Sequence, residues 1–584
     1  MQYIKTWYIL PACAIAVASA TTLVGLQPTG SDGTYVIDGT ETSFSYPFRA
    51  TTEENAVINV RFTLHGRLLH AKNYRVLADD CLESLSVNGE EIAGTPFCDY
   101  DKGRVLDLGG TLRAGENNVS AVMRNNGGPA SLTFLVASTD PLYALLGALA
   151  FLSSLWAVWT SGLLRKLSFN GGMEAVFMLG MAVRAVYAAA TSYAQRGYDV
   201  DGHIEYIRYV LDHWSVPAIA DGWQFYQPPF YYMLAAIPAG LARLIGFGDA
   251  AGLFAVQGLS MVLSCATLLV AGWIITMIFT QKKQSREAML AYALFAVFPA
   301  TVFLSARINN DVLLELAGLC AIAFLLRWHS TGKNMWWIAA IAAWGLALLT
   351  KSNALLLAPV IAVVLAFRPK MPLLERAKLA AMALAILAVT NGWYVGLRAL
   401  EGQDRLIPNI TNLHSGLLVS TSWTGMAEFN PVRLSLQAYN NPWNDDFGRQ
   451  HFWEYLFRSA FTGEFSFGDS LAPIFSALIA LGIVLFLLAI GGIVLAMSAK
   501  PLASFPLWLV PVALLLGHAA FRQFVAPYSS SQDFRYSVLI LAPLAVLCVQ
   551  GMNAKSTIAR RGVHVLGWSF VALSAITLFS VAGA

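Results

Sequence analysis

Residues 197–214 read GYDVDGHIEYIRYVLDHW. The stretch places Asp199, Asp201, His203 and Glu205 within seven positions, directly after an apolar run and ahead of a second motif, QFYQPPFYY at 224–232. Ile204, Ile207, Leu211 and Trp214 recur at helical spacing on one face, and Glu205, Arg208 and Asp212 on another. Arg208 and Asp212, four apart, have the spacing of an ion pair. A helix with two such faces lies along a membrane surface, its apolar side in the headgroup boundary, and Pro217 ends it. Asp199 and Asp201 are then expected where a membrane helix ends and an interfacial one begins, at the rim of the bilayer.

The rest of the chain agrees with a membrane setting. Of its 584 residues 57% are hydrophobic and only 12% charged, with a mean hydropathy of +0.57. A soluble domain carries about 25% charged residues. The apolar residues come in long blocks between short charged loops, so the expected fold is a polytopic α-helical membrane protein. The net charge of +3 says little about partners, and with no basic stripe in the chain nucleic acid is not expected among them.

Residues 1–26 hold Lys5, an apolar run and AVASA, the pattern of a signal anchor or of a signal peptide cut beside Ala18 and Ala20. Within 141–584 the expected spans are 142–163, 173–194, 251–279, 288–305, 311–328, 335–349, 353–367, 378–398, 471–495, 503–521, 537–551 and 562–583, which makes about 13 with the first segment. The pair around residue 350 is short for spans. The basic loops LLRK (163–166), QKKQSRE (281–287), RPKMPLLERAK (368–378) and NAKSTIARR (553–561) belong inside. External loops are then expected at 195–230 and 399–470, with shorter ones at 306–310, 350–352 and 522–536. The apolar segment 230–246 is read as a partly inserted or interfacial helix on the outer side, because a further span there would invert the charge pattern.

Residues 27–140 break the helical pattern. AVINVRFTL alternates Ile58, Val60, Phe62 and Leu64 against Asn59, Arg61 and Thr63, which is strand periodicity. Asn88-Gly89 is a hairpin turn. The expectation is an extracytoplasmic β-sandwich, and its VNG … L..GEN.V pattern resembles the jelly-roll modules of the galactose-binding type. In an oxidising compartment Cys81 and Cys98 pair, worth roughly 3 kcal/mol; the alternative is two buried free thiols. Cys13, Cys265, Cys320 and Cys548 lie in apolar runs as packing residues, and no Cys/His spacing suggests zinc.

An acidic pair after a membrane helix, H..YI.YV in a surface helix, QPPFYY, SARINND (305–311), LLTKSNALLLAP (348–359) and DFRYSVLILAPL (533–544) follow in order. This set resembles the GT-C glycosyltransferases that use polyprenyl-phosphate sugars, among them the aminoarabinose transferase and the protein O-mannosyltransferases. The resemblance covers roughly residues 173–550. It implies an acidic catalytic base at the start of the first large external loop, in a pattern with a His four residues after the first acid. His203 stands four after Asp199; the second acid of the family pattern is replaced by Val200, and Asp201 follows instead. Asp199 and Asp201 are therefore both candidates for the base. Some relatives carry a Lys before the Pro-Pro, near the donor phosphate; Gln227 stands there, so the phosphate charge must be met elsewhere.

The implied chemistry suits these residue types. A carboxylate takes the proton of an acceptor hydroxyl, worth about 10²–10⁴-fold, and cations stabilise the departing phosphate. Arg307, Lys351, Arg522 and Arg535 are the cationic candidates, with His203, Glu205, Gln227 and Tyr231 as further substrate contacts. Direct displacement inverts the anomeric centre. Plainer readings stand beside these. The two Asp side chains are also suited to solvating a loop or to holding a divalent metal; no other cofactor is implied. Arg307, with Asn309, Asn310 and Asp311, also reads as a helix-entry cluster, Lys351 as a snorkelling side chain, and the aromatics of QFYQPPFYY as interfacial anchors. Asp445, Asp446, His451 and Glu454 in the long loop are acceptor-contact candidates or ordinary loop polarity.

The expected partners are a polyprenyl-phosphate-linked sugar donor, a glycan, lipid or protein acceptor, and the bilayer. The expected location is a bacterial inner membrane, with the site and the sandwich on the periplasmic side. The competing functions are a transporter or flippase of glycan lipids, and a polymerase or ligase of the same pathway. A transporter more often buries charge at mid-membrane, whereas here Glu174 and Glu315 lie near predicted span ends.

Overall fold

The computed structural model describes residues 2–583 other than 45, 68–69, 100–102, 128, 198, 282–283, 402–416, 437–448, 466, 468, 500 and 553–556. The chain divides into two compact units. One comprises 1–163, 188–214 and 234–259, the other 164–187, 215–233 and 260–584.

In the first unit, the helix Gln2–Leu26 packs along the helix Pro141–Ser161. Between them in sequence lie two antiparallel sheets. The larger runs Thr40–Phe44, Gly33–Ile37, Val57–Gly66, Gly115–Arg124, Cys81–Val87, Glu90–Glu91. The smaller runs Arg104–Asp107, Asn73–Asp79, Pro129–Val136, Phe48–Thr51. Alternation decides which faces are inside. Ile58, Val60, Phe62 and Leu64 are buried as their spacing predicts, and Val60, Ala121 and Leu85 form one row across three strands. Phe62 of the larger sheet meets Phe134 of the smaller, ring centroids 5.8 Å apart, in a shared apolar core. Asn88 and Gly89 both have positive φ, the requirement of a tight primed hairpin turn. The Asn88 amide donates to Asn117 Oδ1 at 2.9 Å, so the two asparagines of the VNG and GEN signals tie their turns together. Cys81 and Cys98 are disulfide-bonded, which joins neighbouring strands at paired positions. Asp140 fastens the helix to the sheet: one carboxylate oxygen caps Leu142 N and Tyr143 N, and the other accepts from Lys72 N at 2.8 Å and Asn73 N.

Ten helices among the described residues are long and apolar enough to cross a membrane. The count rises to eleven if Ser285–Ala296 and Pro299–Ala306, bent by 54° at their break, form one span. This is fewer than the roughly thirteen read from hydropathy, and length is the reason. Segments 335–349 and 353–367 form short helices, Asn334–Leu348 and Ser352–Ala366, as does Phe230–Leu244. At ~1.5 Å rise per residue each extends only about 22 Å, short of a ~30 Å hydrocarbon core. The Ser352–Ala366 helix opens with a 3-10 turn, because Lys351 has extended backbone and interrupts the apolar run.

The second unit is pinned by one buried arginine in the helix Gly171–Ala190. Arg184 donates from Nε to Ser264 Oγ at 2.8 Å, from Nη1 to Ala296 O at 2.6 Å and from Nη2 to Thr301 Oγ1 at 2.9 Å. A guanidinium in an apolar bundle is costly unless every donor is met, and these partners come from three further segments.

Candidate active site

In the second unit, four motifs far apart in sequence come together. Asn310 Nδ2 donates to Gln227 Oε1 and to Thr350 O, both at 3.2 Å. Phe230 N, just past the two prolines, donates to Leu349 O at 3.0 Å. Asn309 Oδ1 accepts from Asp311 N at 2.7 Å at the start of the helix Asp311–Thr331. That turn aims the Asp311 carboxylate at Lys351, whose Nζ lies 2.6 Å from Oδ1. The Lys351 ammonium sits 5.1 Å from the centroid of Tyr536, and the Arg535 guanidinium 5.3 Å from the same ring. Arg535 N donates to Asp533 Oδ1, which holds the turn that presents both side chains. The QPP, INND, LTKS and DFRYS motifs thus form one buried polar cluster carrying two cations.

Arg307 is the third cation of these motifs. It is buried beside two rings, 4.7 Å from Phe465 and 5.8 Å from Phe303. Arg522 donates from Nε to Gln532 Oε1 at 3.1 Å. One turn earlier in the same helix, His518 bridges Ser537 Oγ and Ser531 O, each at 2.8 Å. Arg522 and His518 therefore secure the 529–540 segment that carries Arg535. Tyr231 is fully buried, as is Gln227 in all but a small fraction of its surface. The reading of Lys351 as a snorkelling side chain is corrected: its side chain is only 6% exposed and it is paired with Asp311.

An apolar cavity of about 620 Å³ lies in the same unit, within the ~300–1,000 Å³ range of small-molecule sites, lined by Phe298, Phe457, Phe461, Phe486, Phe534 and Leu541 among others. Phe534 is the chain neighbour of Arg535, so one 3-10 turn, Phe534–Ile540, serves the cavity wall and the cationic cluster together.

The acids Asp199, Asp201 and Glu205 belong to the first unit, together with His203. Asp199 has left-handed backbone (φ 51°) and immediately precedes the helix Val200–His213. Its carbonyl accepts from His203 N at 3.2 Å, which puts the two residues on one turn. Asp201 and Glu205 are exposed, and His203 is buried. Ile204, Ile207 and Val210 are buried in protein, so this face of the helix is not the lipid-facing surface expected from its periodicity. Trp214, assigned to that face, is 85% exposed just beyond the helix end. The expected Arg208–Asp212 pair is also replaced. Arg208 donates from Nε to Asp249 Oδ2 at 3.0 Å, and Asp212 accepts from Arg243 at 2.7 Å.

Residues 226–394 match the family model described as dolichyl-phosphate-mannose-protein mannosyltransferase. The chain resembles the GT-C glycosyltransferases. Among solved structures, the apo crystal structure of ArnT from Cupriavidus metallidurans aligns at 16% identity and a TM-score of 0.33, over 65% of this chain and 78% of that one. The archaeal oligosaccharyltransferase AglB from Archaeoglobus fulgidus, solved with an inhibitory peptide and a dolichol-phosphate, aligns at 12% identity and a TM-score of 0.44, over 70% of this chain and 56% of that one. The arabinosyltransferase EmbB from Mycobacterium smegmatis aligns at 12% identity and 0.33, over 99% and 64%. No curated protein sequence matches the chain.

The matched segment contains Gln227, Tyr231, Arg307 and Lys351, and it also contains what the sequence reading missed. Asp311 is the partner of Lys351, 40 positions away, and nothing in local spacing announces it. Arg184 lies ahead of that segment and was visible as a lone charge in an apolar run. Glu315, expected near a span end, is fully buried one turn past Asp311, and neither oxygen has a hydrogen-bond partner among the described residues. Of the long-loop candidates, Glu454 is a structural anchor: it takes two bonds from Arg433, at 2.9 and 2.6 Å, and one from Asn430 N. His451 lies 3.7 Å from Glu428, while Asp445 and Asp446 fall outside the described residues. Among the described residues, no three His, Cys, Asp or Glu side chains gather to hold a metal.

Proposed function

We propose that this GT-C-like protein transfers a sugar from a polyprenyl-phosphate donor to a hydroxyl of a glycan, lipid or protein on the outer face of a membrane. One observation carries the reading: two buried cations, Lys351 and Arg535, share the Tyr536 ring, and the residue just before Arg535, Phe534, walls an apolar cavity of about 620 Å³. A polyprenyl phosphate has those two parts, an apolar tail and an anionic head. The cations meet phosphate charge where little water competes, which is where such contacts are strongest.

The reaction is a single displacement. The acceptor oxygen forms a bond to the anomeric carbon as the bond from that carbon to the phosphate oxygen breaks. The electron pair leaves on the phosphate, and the acceptor proton passes to a carboxylate, Asp199 or Asp201. Attack opposite the leaving group inverts the anomeric centre. Gln227, Asn310 and Asp311 hold the cations' surroundings in register, and the 2.6 Å contact with Asp311 keeps Lys351 aimed. The extracytoplasmic β-domain is read as a jelly-roll sandwich, and the membrane as a bacterial inner membrane.

The test is incubation of the purified protein with a panel of radiolabelled polyprenyl-phosphate sugars and envelope acceptors, with and without a chelator. Transfer that survives chelation, disappears in Asp199→Asn or Asp201→Asn, and yields the inverted linkage supports the proposal. No transfer from any lipid-linked donor, or net movement of intact donor across vesicles, would replace it with the flippase reading.

A further inference from the structure

The register of the smaller sheet sets up a contact between the β-domain and the candidate catalytic acids. Ser131 on the strand Pro129–Val136 is paired on one side with Arg49 of Phe48–Thr51 and on the other with Asp79 of Asn73–Asp79. Residues directly opposite in an antiparallel ladder share a face. Arg49, Ser131 and Asp79 therefore form a row across three strands, on the face opposite the buried Phe48, Leu132 and Ala78. Arg49 meets Asp201 in an ion pair above that row. Other charges surround the pair. Asp79, on the sheet side, lies within electrostatic reach of Asp80, Asp201 and Arg49, and Asp80 accepts from Asn126 N at 2.6 Å. Asp199 and Glu205 flank Asp201 on its own element. Arg75, further along the same strand as Asp79, neighbours Arg196 and Asp99.

We propose that Arg49 is a positioning residue for Asp201, through which the β-domain holds a candidate base in place. The proposal rests on the reading of the Asp199–Asp201 segment as the source of the base. Asp201 projects from the first turn of its helix, near Asp79 and between Asp199 and Glu205 in sequence, where unscreened carboxylates repel one another. Arg49 is the cation paired with it in that group. Its guanidinium fixes both the direction of the carboxylate and the path of the chain from Asp199 into the helix. The ion pair is about half exposed on both sides, so its worth to folding is small. Misplacement of a reacting group by about 1 Å costs up to about 10²-fold in rate. The loss of Arg49 is therefore expected to spare the fold and to impair transfer.

Two measurements test this. First, a pair of cysteines is introduced by the double substitution Arg49→Cys/Asp201→Cys, and the protein in detergent is treated with a short bismaleimide and mapped by mass spectrometry. A link between these two positions is expected. Its absence, with the introduced thiol of each single variant freely labelled, overturns the proposal. Second, transfer is measured for wild type, Arg49→Ala, Arg49→Lys, Asp201→Asn and the Arg49→Ala/Asp201→Asn double variant. Arg49→Ala is expected to lose about 10- to 100-fold in kcat, Arg49→Lys to recover most of it, and the double variant to be no worse than Asp201→Asn. Arg49 variants that match an active wild type, or that add their full loss to Asp201→Asn, overturn the positioning role and leave the transferase reading intact. A wild type that transfers nothing fails that reading and takes the positioning role with it, even with the cross-link formed.

Discussion

Lys351 and Asp311, 40 positions apart, form an ion pair of 2.6 Å with side chains only 6% and 0% exposed. A buried pair stands or falls as a unit. Its desolvation cost has already been met, so removal of one partner strands the other.

Asp311→Asn or Lys351→Met alone is therefore expected to lower stability by about 3–5 kcal/mol, read as a drop in Tm in detergent. The double variant Lys351→Met/Asp311→Leu should regain most of that stability while its transfer activity stays down by about 10²–10³-fold. Recovery of activity along with stability would remove Lys351 from the phosphate site.

Arg184 makes a stronger case for geometry than for charge. Its planar fork reaches Ser264, Ala296 and Thr301 at once, which a lysine cannot do. Arg184→Lys should therefore be nearly as destabilising as Arg184→Ala, each by roughly 2–5 kcal/mol. A well-folded lysine variant with an unshifted Tm would mean that the hydrogen bonds matter less than the positive charge.

The β-domain should become less stable as pH rises toward neutrality. Burial, the hydrogen bond and charge of Asp80, and the charge of Asp201 push the Asp79 carboxyl up to about 7, against the pull of Arg49. A raised folded value favours the protonated state, so its contribution is full below the unfolded value of about 3.9 and is lost as pH climbs through about 7. Asp79→Asn should flatten the pH dependence of Tm across that window. An unchanged slope would show that Asp79 is ionised throughout.

The Cys81–Cys98 bond closes a loop of sequence separation 17. Loop-closure arithmetic puts its loss at about 3 kcal/mol. The Cys81→Ser/Cys98→Ser variant should lose that stability in the β-domain transition and leave the membrane helices' unfolding unmoved, as followed by differential scanning calorimetry.

If the apolar cavity holds the donor's tail, filling it should discriminate by tail length. Ala460 lines the wall beside Phe457 and Phe461. Ala460→Trp is expected to raise KM for long polyprenyl donors about 10-fold or more, on the scale of ~0.8 kcal/mol per buried methylene, while KM for a short-chain analogue changes little. Equal effects on both donors would put the tail elsewhere.

The residues that spoke plainly in the sequence are those whose signal is local. The long apolar blocks mark membrane helices because the bilayer leaves a backbone no other way to meet its hydrogen bonds. Ile58, Val60, Phe62 and Leu64 mark a half-buried strand because side chains alternate across a sheet, and Asn88-Gly89 marks its turn because positive φ suits few residues. The ordered motifs from QPP to DFRYS named four segments without saying that they meet. Local rules failed where a distant partner competed. Arg208 and Asp212 had the right spacing for each other, yet Asp249 and Arg243 hold them. Ile204 and Ile207 had the pattern of a lipid-facing stripe, yet protein covers them.

By itself, then, the sequence determined that this chain is a helical membrane protein with a β-rich segment, because periodicity, length and turn chemistry act over a few residues. Only the tertiary structure decided that Asp311 partners Lys351, that Lys351 and Arg535 flank one tyrosine, and that Arg49 reaches Asp201. Those pairings follow from helix packing and strand register, which bring together groups tens to more than a hundred positions apart, and no spacing along the chain encodes such a distance.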